Sequence, residues 1–265
     1  MRLSGRLARL VGVFLLGLLL AACGDKKPVV SESFVFGTRV EVQVADDLPE
    51  SRIRIAVAQV LAEFDRLHRT YHAWQSSELT ALNDALAGGR RIRVTPEMAD
   101  LLLEAQGFAR QSDALFDPGI GRLIALWGFH ADSYATQRPE PAAISAWLKL
   151  HPSILQLQIV KATDGAWVSS TNQQVALDFG GSLKGKALDR AADILRTAGV
   201  HNALINIGGN VMALGSRHGQ PWRIAIQAPR YGGPLAILEL EDGEATGTSG
   251  DYQRYFEVDG QRYPH

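Results

Sequence analysis

Residues 177–215 read LDFGGSLKGKALDRAADILRTAGVHNALINIGGNVMALG, and this stretch decides the fold. Apolar residues recur at helical spacing over 183–197, which predicts an amphipathic helix with one buried face. Gly199 follows at the position where a glycine commonly ends a helix. Ahead of the helix, the apolar residues 175–177 predict a short strand that leads into Asp178.

Two more strands are predicted after the helix. The apolar run 203–207 predicts a buried strand, and the glycines 208–209 turn the chain into another strand over 211–214. Along the whole chain, the predicted order is a strand, several helices, strands, one helix and then a run of strands. This order lacks the strict β-α alternation of a doubly wound sheet. We therefore expect an α+β fold, a single domain with a mixed or largely antiparallel sheet flanked by helices.

The turn after Asp178 has the features of an anion site. Two glycines and Ser182 lead into the helix, so free N–H groups and the positive end of the helix dipole would face a phosphate or diphosphate. Lys184 lies in the first helical turn, where the dipole disfavours a cation unless an anion faces it. Asp178 could accept hydrogen bonds from a sugar or a base. The alternative is a purely structural role for these residues. Asp178 would then be a turn residue, Ser182 the N-cap of the helix and Lys184 a solvated side chain.

The first 22 residues predict a secretion signal. Basic residues precede a twelve-residue run of apolar residues and glycine, which is short for a membrane span. The run ends in LAAC at 20–23, which resembles a bacterial lipobox, so Cys23 is predicted to become a lipidated N-terminus on the periplasmic side. The residue after Cys23 is not Asp, which favours the outer membrane over the inner membrane. Residues 23–33 would then form a tether and residues 34–265 the domain.

Composition excludes some partners. The sequence has 27 Lys and Arg residues against 28 Asp and Glu, and three of the arginines precede the apolar run, so the domain is mildly acidic. It has no basic tail, and nucleic acid is therefore not an expected partner. Cys23 is the sole cysteine, so no disulfide is expected. The roughly 240 residues after the signal are enough to bury one large core.

Five further motifs accompany the stretch 177–215. They are FGT at 36–38, SSELTALN at 76–83, FDPGIGRLIALWGF at 116–129, WRIAIQAP at 222–229 and TSGDYQRYFEVDGQRYPH at 248–265. Together the six motifs resemble, in order, those of the ApbE family, the FAD:protein FMN transferases. The resemblance covers nearly the whole domain, and six ordered motifs are far more specific than any one of them.

The resemblance implies an α+β fold of the ApbE type, related to the T-fold, and a flavin transfer reaction. FAD is the substrate in that reaction. A Thr or Ser hydroxyl of a target protein attacks the FMN phosphorus, and AMP leaves. A hydroxyl is a weak nucleophile, so a general base is required, and the charged diphosphate calls for Mg²⁺ and a lysine. The expected partners are FAD, a target flavoprotein and, through Cys23, a membrane.

Two aromatic positions are expected to contact the flavin ring. Phe36 stands where the family usually has a methionine close to the flavin, with packing in a core strand as the alternative. The family commonly has a stacking tyrosine ahead of the SSELTALN motif, but an ungapped count places Ala73 there. Trp74, one residue further on, is our choice for the stacking partner because its broad ring offers a large contact area. Core packing of Trp74 is the alternative.

The resemblance also assigns side chains to the rest of the FAD site. They are Leu115, Phe116, Asp117, Asp178, Lys184 and Ser249. Asp117 has a second interpretation as the cap of the next helix, and the two roles are compatible. The turn that contains Ser249 can also be interpreted as a simple hairpin loop.

The expected metal and base positions follow from the same resemblance. The backbone carbonyl of Gly181 would bind Mg²⁺, and His265 would be the general base. The family's other metal-binding residues, an Asp and a Thr, belong to a stretch beyond the position of His265. We therefore expect a fragment of a longer protein, or a natural truncation that transfers FMN poorly. A separate pair, His68 and His72, has helical spacing for a shared metal, but no third ligand is evident.

Two other functions are compatible with these motifs. The protein could hold FAD as a carrier without transferring it. It could instead hydrolyse FAD to FMN and AMP, with water in place of the protein hydroxyl. The products distinguish the three functions. A transferase leaves covalent flavin on a target, a carrier leaves FAD unchanged, and a hydrolase releases free FMN and AMP.

The lipobox predicts the outcome of one substitution. Cys23→Ser should release the protein from the membrane fraction or leave it as uncleaved precursor, because acyl chains on Cys23 would supply the membrane affinity. Membrane fractionation and mass spectrometry of the N-terminus check this. Normal processing and membrane retention of the variant would reject lipidation and leave an ordinary signal peptide with an incidental cysteine.

Overall fold

The computed structural model describes residues 27–131, 133, 137–251 and 255–265. The predicted signal peptide, residues 1–22, and the predicted lipidation site, Cys23, lie outside the described residues. Within these ranges, no helix combines the length and apolar character that a bilayer crossing requires.

The described residues form six α-helices, one 3-10 turn and twelve strands. The helices are α1 (Glu50–Thr70), α2 (Glu78–Ala87), α3 (Pro96–Gln111), α4 (Gly121–Leu126), α5 (Pro141–Leu148) and α6 (Leu183–Thr197), and the 3-10 turn is Ile154–Gln156. The strands are β1 (Val29–Val35), β2 (Thr38–Val44), β3 (Ile92–Val94), β4 (Leu157–Ala162), β5 (Gly165–Ser170), β6 (Ala203–Ile207), β7 (Asn210–Leu214), β8 (Trp222–Gln227), β9 (Pro234–Leu240), β10 (Ala245–Thr246), β11 (Tyr255–Val258) and β12 (Gln261–Pro264).

A five-stranded sheet of order β1-β2-β6-β7-β10 forms the centre of the molecule. Alternate residues of β2, Val40, Val42 and Val44, are buried, as the period of two along a strand requires. Helices α1 and α6 contact each other, and α6 also contacts β6 and β7. Their apolar faces join the β2 valines in one core. Every ladder in the sheet is antiparallel, which confirms the expected α+β fold.

The remaining strands form smaller antiparallel units. Strands β3, β5 and β4 make a three-stranded sheet, and β8–β9 and β11–β12 are separate hairpins. Asp259 and Gly260 connect β11 to β12 with φ values of 52° and 72°, the conformation of a two-residue hairpin turn.

The first hairpin corrects the predicted tether. Residues 29–33 belong to β1, which pairs with β2 from Val29–Val44 to Val35–Thr38, so the tether prediction was wrong for them. The error arose because the middle of β1, residues 31–33, is polar, and the segment becomes a strand by pairing with β2. Phe36 and Gly37 form the turn, with φ values of 56° and 68°. Phe36 therefore lies in a turn and not in a core strand, although its ring packs against the core.

The prediction for the central helix is confirmed, and the prediction for the strand before it is wrong. Helix α6 has the predicted bounds, and Gly199 follows it with a φ of 80°. Residues 175–177 do not form a regular strand in the described part of the chain. Ala176 makes only an isolated parallel bridge with Ile120.

An asparagine side chain takes the place of a neighbouring strand beside Leu177. The Leu177 N–H donates to Asn83 Oδ1 at 2.7 Å, and Asn83 Nδ2 donates to the Leu177 carbonyl at 2.9 Å. Leu177 is fully buried, so water cannot replace these two bonds. Asn83 thus satisfies both backbone groups of one residue.

The residues on either side of Leu177 form backbone hydrogen bonds on the other side of the segment, with residues of the 118–121 turn. The Gly121 N–H donates to the Ala176 carbonyl at 2.7 Å, and the Asp178 N–H donates to the Pro118 carbonyl at 2.9 Å. Backbone groups of 176–178 are therefore held from both sides. This fixes the point at which the chain delivers Asp178.

Removing the Asn83 amide should destabilise the protein strongly. Asn83→Ala leaves the buried N–H and carbonyl of Leu177 without partners, and each such group costs about 1–3 kcal/mol. We expect a loss of about 2–4 kcal/mol in the free energy of unfolding, measured by urea denaturation. Asp84→Ala, at the next and exposed helix position, is the matched control and should change stability by less than about 0.5 kcal/mol. Equal stability of the two variants would contradict the role of Asn83.

Candidate functional site

Asp178 is the centre of a half-enclosed polar site. Its Oδ1 accepts from the Gly180 N–H at 2.7 Å, and its Oδ2 lies 2.8 Å from His130 Nε2. The side chains of Asp178 and His130 are 9% and 15% exposed. Because a carboxylate only accepts, the His130 nitrogen is the donor in this pair.

The carboxyl of Asp178 is ionised at neutral pH. Burial on its own raises its pKa, but the hydrogen bonds from His130 and from the Gly180 N–H lower it, and the pKa ends below its ordinary value. Electrostatic attraction to His130 and His265 lowers this pKa further. The site therefore contains a fixed negative charge that can accept hydrogen bonds.

A chain of ring contacts links Asp178 to the first hairpin. The His130 ring is stacked on Trp74, with centroids 5.4 Å apart and an angle of 22° between the planes. Centroid distances continue at 4.4 Å from Trp74 to His72, 4.9 Å from His72 to His68 and 5.6 Å from His68 to Phe36. Three residues predicted from the sequence, Phe36, Trp74 and Asp178, thus belong to one connected group. Trp74 is 37% exposed, so it is not a core residue.

His72 has a structural role in this chain of rings. Its Nδ1 accepts from the Gln75 N–H at 3.0 Å, and its carbonyl accepts from the Ser77 hydroxyl at 2.7 Å. These bonds hold the loop that carries Trp74 against the start of α2. Among the described residues, no three His, Cys, Asp or Glu side chains lie close enough together to hold a metal ion, so a site at His68 and His72 has no third ligand there.

The turn after α3 contains the predicted residues 115–117. Asp113 and Ala114 both have positive φ, 50° and 61°, which is a strained conformation for residues with a Cβ. Leu115 is 93% exposed. The ring of Phe116 contacts that of Phe108 edge to face, with centroids 6.1 Å apart. The exposed Leu115 is thus displayed by a fixed turn.

Asp117 fixes this turn and does not cap a helix. Its Oδ1 accepts from the Gly119 N–H at 2.7 Å and from the Ile154 N–H at 3.0 Å. Helix α4 begins later, with Ile120 at its N-cap position. The helix-cap interpretation of Asp117 was therefore wrong, because the side chain turns back to the 3-10 segment.

The start of α6 lies beside the 115–117 turn. Gly180 and Gly181 are exposed, and Lys184 is half-buried in the first helical turn. The Ser182 hydroxyl makes no cap hydrogen bond within the described residues, so the N-cap interpretation was wrong for its side chain. An apolar cavity of about 340 Å³ opens between these elements, and its lining residues are Phe108, Gln111, Ser112, Phe116 and Ser182.

Ser249 lies beside a cavity whose lining does not include Asp178. It is exposed, and its neighbours Thr248 and Gly250 line a cavity of about 370 Å³ between the central sheet and β8. Thr38 also lines this cavity, directly after the turn that contains Phe36. A side chain at position 208 would place its Cβ 2.4 Å from Thr38 Oγ1, so Gly208 is required there.

His265 is close enough to influence the Asp178 carboxyl. Its exposed ring contacts Phe129 edge to face, with centroids 4.9 Å apart. Phe129 precedes His130 in the chain, and the electrostatic effect of His265 lowers the pKa of Asp178. The predicted base and the predicted ligand-binding carboxylate therefore lie in one region.

Sequence reasoning missed two residues of the site. His130 received no role, although it follows the quoted WGF segment directly. Asn83 ends the quoted SSELTALN segment, but nothing in that segment indicates its bonds to Leu177. Their partners are 48 and 94 positions away, so no local pattern could reveal them.

Two curated relatives are transferases by name. An FAD:protein FMN transferase of Rhodobacter capsulatus is 41% identical over 239 residues, which cover 90% of this chain and 45% of the relative. An FAD:protein FMN transferase of Haemophilus influenzae is 28% identical over 261 residues, which cover 94% of this chain and 74% of the relative. This chain thus spans about half the length of the first relative.

Solved structures share the fold. The ApbE protein of Thermotoga maritima is 31% identical, with a TM-score of 0.80, over 90% of this chain and 75% of that chain. The apo form of the flavinyl transferase ApbE from Pseudomonas stutzeri is 29% identical, with a TM-score of 0.71, over 91% of this chain and 74% of that chain.

A family model extends the likeness to almost the whole described domain. It is the model of the ApbE family, and it matches residues 36–265. The match begins at the Phe36 turn, includes Trp74, His130 and Asp178, and ends on His265. With this match and a relative above 40% identity, the chain belongs to the ApbE family.

Proposed function

We propose that this protein is an FAD:protein FMN transferase, which moves FMN from FAD to a Thr or Ser hydroxyl of a target protein and releases AMP. One observation carries the proposal. Asp178, the exposed glycines after it and the N-terminus of α6 form a single fixed turn, bordered by aromatic rings on one side and by His265 on another.

The residues of this turn suit the parts of FAD. The ionised Asp178 can accept hydrogen bonds from the ligand, and Trp74 offers an aromatic face to a flat ring. The positive end of the α6 dipole and the cation of Lys184 suit a diphosphate, while the N–H groups of Gly180, Ser182 and Leu183 already donate within the turn. Leu115 and Phe116 provide apolar contact beside the same helix start. These assignments, and that of Ser249, are part of the proposal.

The proposed chemistry requires one base. The acceptor hydroxyl loses its proton as its oxygen attacks the FMN phosphorus, and the bond to the AMP oxygen breaks. We assign proton removal to His265, whose ring lies in the region of Asp178 and is accessible. Asp178 is the weaker candidate, because both its oxygens already accept hydrogen bonds.

A metal ion would stabilise negative charge on the diphosphate. The family resemblance assigns one ligand, the carbonyl of Gly181, which is an exposed residue in the turn. The described residues contain no group of three acidic, His or Cys side chains that would complete a site. Mg²⁺ dependence and attachment to a membrane through Cys23 are both part of the proposal.

Product analysis tests the proposed reaction. The full-length protein is incubated with FAD, Mg²⁺ and acceptor peptides that differ only in a central Thr, Ser or Val. We expect covalent FMN on the Thr and Ser peptides and none on the Val peptide, with one AMP released per peptide modified. Mass spectrometry and chromatography of the nucleotides measure both products, and chelation of the metal should stop the transfer.

Substitutions assign the roles in the same assay. His265→Ala should reduce transfer about 100-fold or more while FAD binding stays within about threefold of wild type, because loss of a general base affects the chemical step. Lys184→Ala should weaken FAD binding by about 1.5–3 kcal/mol. His201→Ala, an exposed histidine elsewhere, is the matched control. If FAD stays unchanged, the protein is a carrier. If free FMN and AMP appear without covalent flavin, it is a hydrolase. Either outcome would contradict the transferase.

A further inference from the structure

One histidine, His130, makes two interactions of the kind that the proposed function assigns to FAD, a hydrogen bond to Asp178 and a stacking contact with Trp74. We propose that the imidazole of His130 occupies the place of the flavin ring in the ligand-free protein, and that FAD binds by displacing it. The inference rests on the proposed function and extends it, since it identifies a residue that sets the affinity for FAD.

The hydrogen bond is the first reason. Both oxygens of Asp178 already accept, from the Gly180 N–H and from His130, and only 9% of the side chain is exposed. Because so little of the side chain is open, a ligand N–H reaches this carboxylate most directly from the position that His130 now fills. The imide N–H of a flavin is a donor of the same kind as the imidazole N–H.

The stacking geometry is the second reason. The His130 ring lies nearly parallel to Trp74, at 22° and with centroids 5.4 Å apart, and the same ring donates to Asp178. The His72 ring also contacts the indole, nearly at right angles, with centroids 4.4 Å apart and an angle of 73°. A single flat ring that stacks on Trp74 and donates to Asp178 must use the position that His130 fills.

The backbone next to His130 is anchored, so displacement would take place in the side chain. Phe129, the preceding residue, is buried and contacts Phe256 with centroids 5.6 Å apart, so the backbone before His130 is anchored. When no flavin is bound, His130 keeps the buried Asp178 carboxylate paired, which avoids the cost of an unpaired buried charge. When flavin binds, the hydrogen bond between His130 and Asp178 is broken, and this cost reduces the net affinity for FAD.

The test measures FAD affinity in position-130 variants. We expect His130→Ala to bind FAD roughly tenfold more tightly than wild type, the factor that corresponds to losing one competing hydrogen bond to a charged group. His130→Gln keeps a donor for Asp178 without a ring, so its affinity should fall between the two. His201→Ala should bind like wild type. Titration calorimetry gives the dissociation constants, and thermal melting shows that each variant is folded.

A second measurement uses the wild-type protein and is independent of variant folding. In protein labelled with ¹⁵N-histidine, FAD should move the His130 side-chain resonances towards those of a solvated imidazole and leave those of His201 unchanged. Unmoved His130 resonances in FAD-bound protein would overturn the inference.

The outcomes also separate this inference from the proposed function. Equal or weaker FAD binding by folded His130→Ala, with flavin transfer intact, overturns the inference alone. If neither wild type nor His130→Ala binds FAD, both are overturned. Tighter binding by His130→Ala supports the inference even if the assay then shows hydrolysis of FAD in place of transfer.

Discussion

The paired hydrogen bonds between Asn83 and Leu177 are the constraint on which the site depends. A buried segment outside a sheet must still satisfy its backbone groups. Here one amide side chain serves Leu177, while residues of the 118–121 turn serve Ala176 and Asp178 on the opposite side. The chain can therefore enter the core without forming a regular strand, and it leaves the core at a defined position with Asp178 pointing towards His130.

The fold also fixes the elements around Asp178, which are the start of α6, the loop that carries Trp74 and the 115–117 turn. Helix α6 begins directly after it and is held by its apolar face, so the helix dipole and the exposed glycines are fixed relative to the carboxylate. The loop that carries Trp74 is held by hydrogen bonds of His72, and the 115–117 turn is held by Asp117. The polar side chains of His72 and Asp117 thus stabilise loops by hydrogen bonds, and each loop leaves a nearby residue, Trp74 or Leu115, accessible to a ligand.

The sequence predicted what depends on local pattern. The bounds of α6 follow from apolar periodicity and from Gly199. Asp178 and Phe36 were chosen from quoted motifs, and Trp74 was chosen for its broad ring, just ahead of one of them. Contacts between distant segments were not predictable. Strand β1, with its polar middle, exists through its pairing with β2, and the Ser182 hydroxyl is not needed as a cap. His130 meets Asp178 only because the 116–129 segment packs beside the central turn. Period and capping rules describe single elements, whereas these features arise from packing between elements.

FAD is expected to bind at the turn that Asn83 and its neighbours fix. Amide hydrogen exchange, measured with and without FAD, locates the bound ligand because each peptide reports its own protection. Binding at this turn should slow exchange in peptides that cover 176–186 and 115–121, and Asp178→Ala should abolish this protection. Protection confined to the cavity between β8 and the central sheet, lined by Gly208 and Thr248, would show that FAD binds elsewhere.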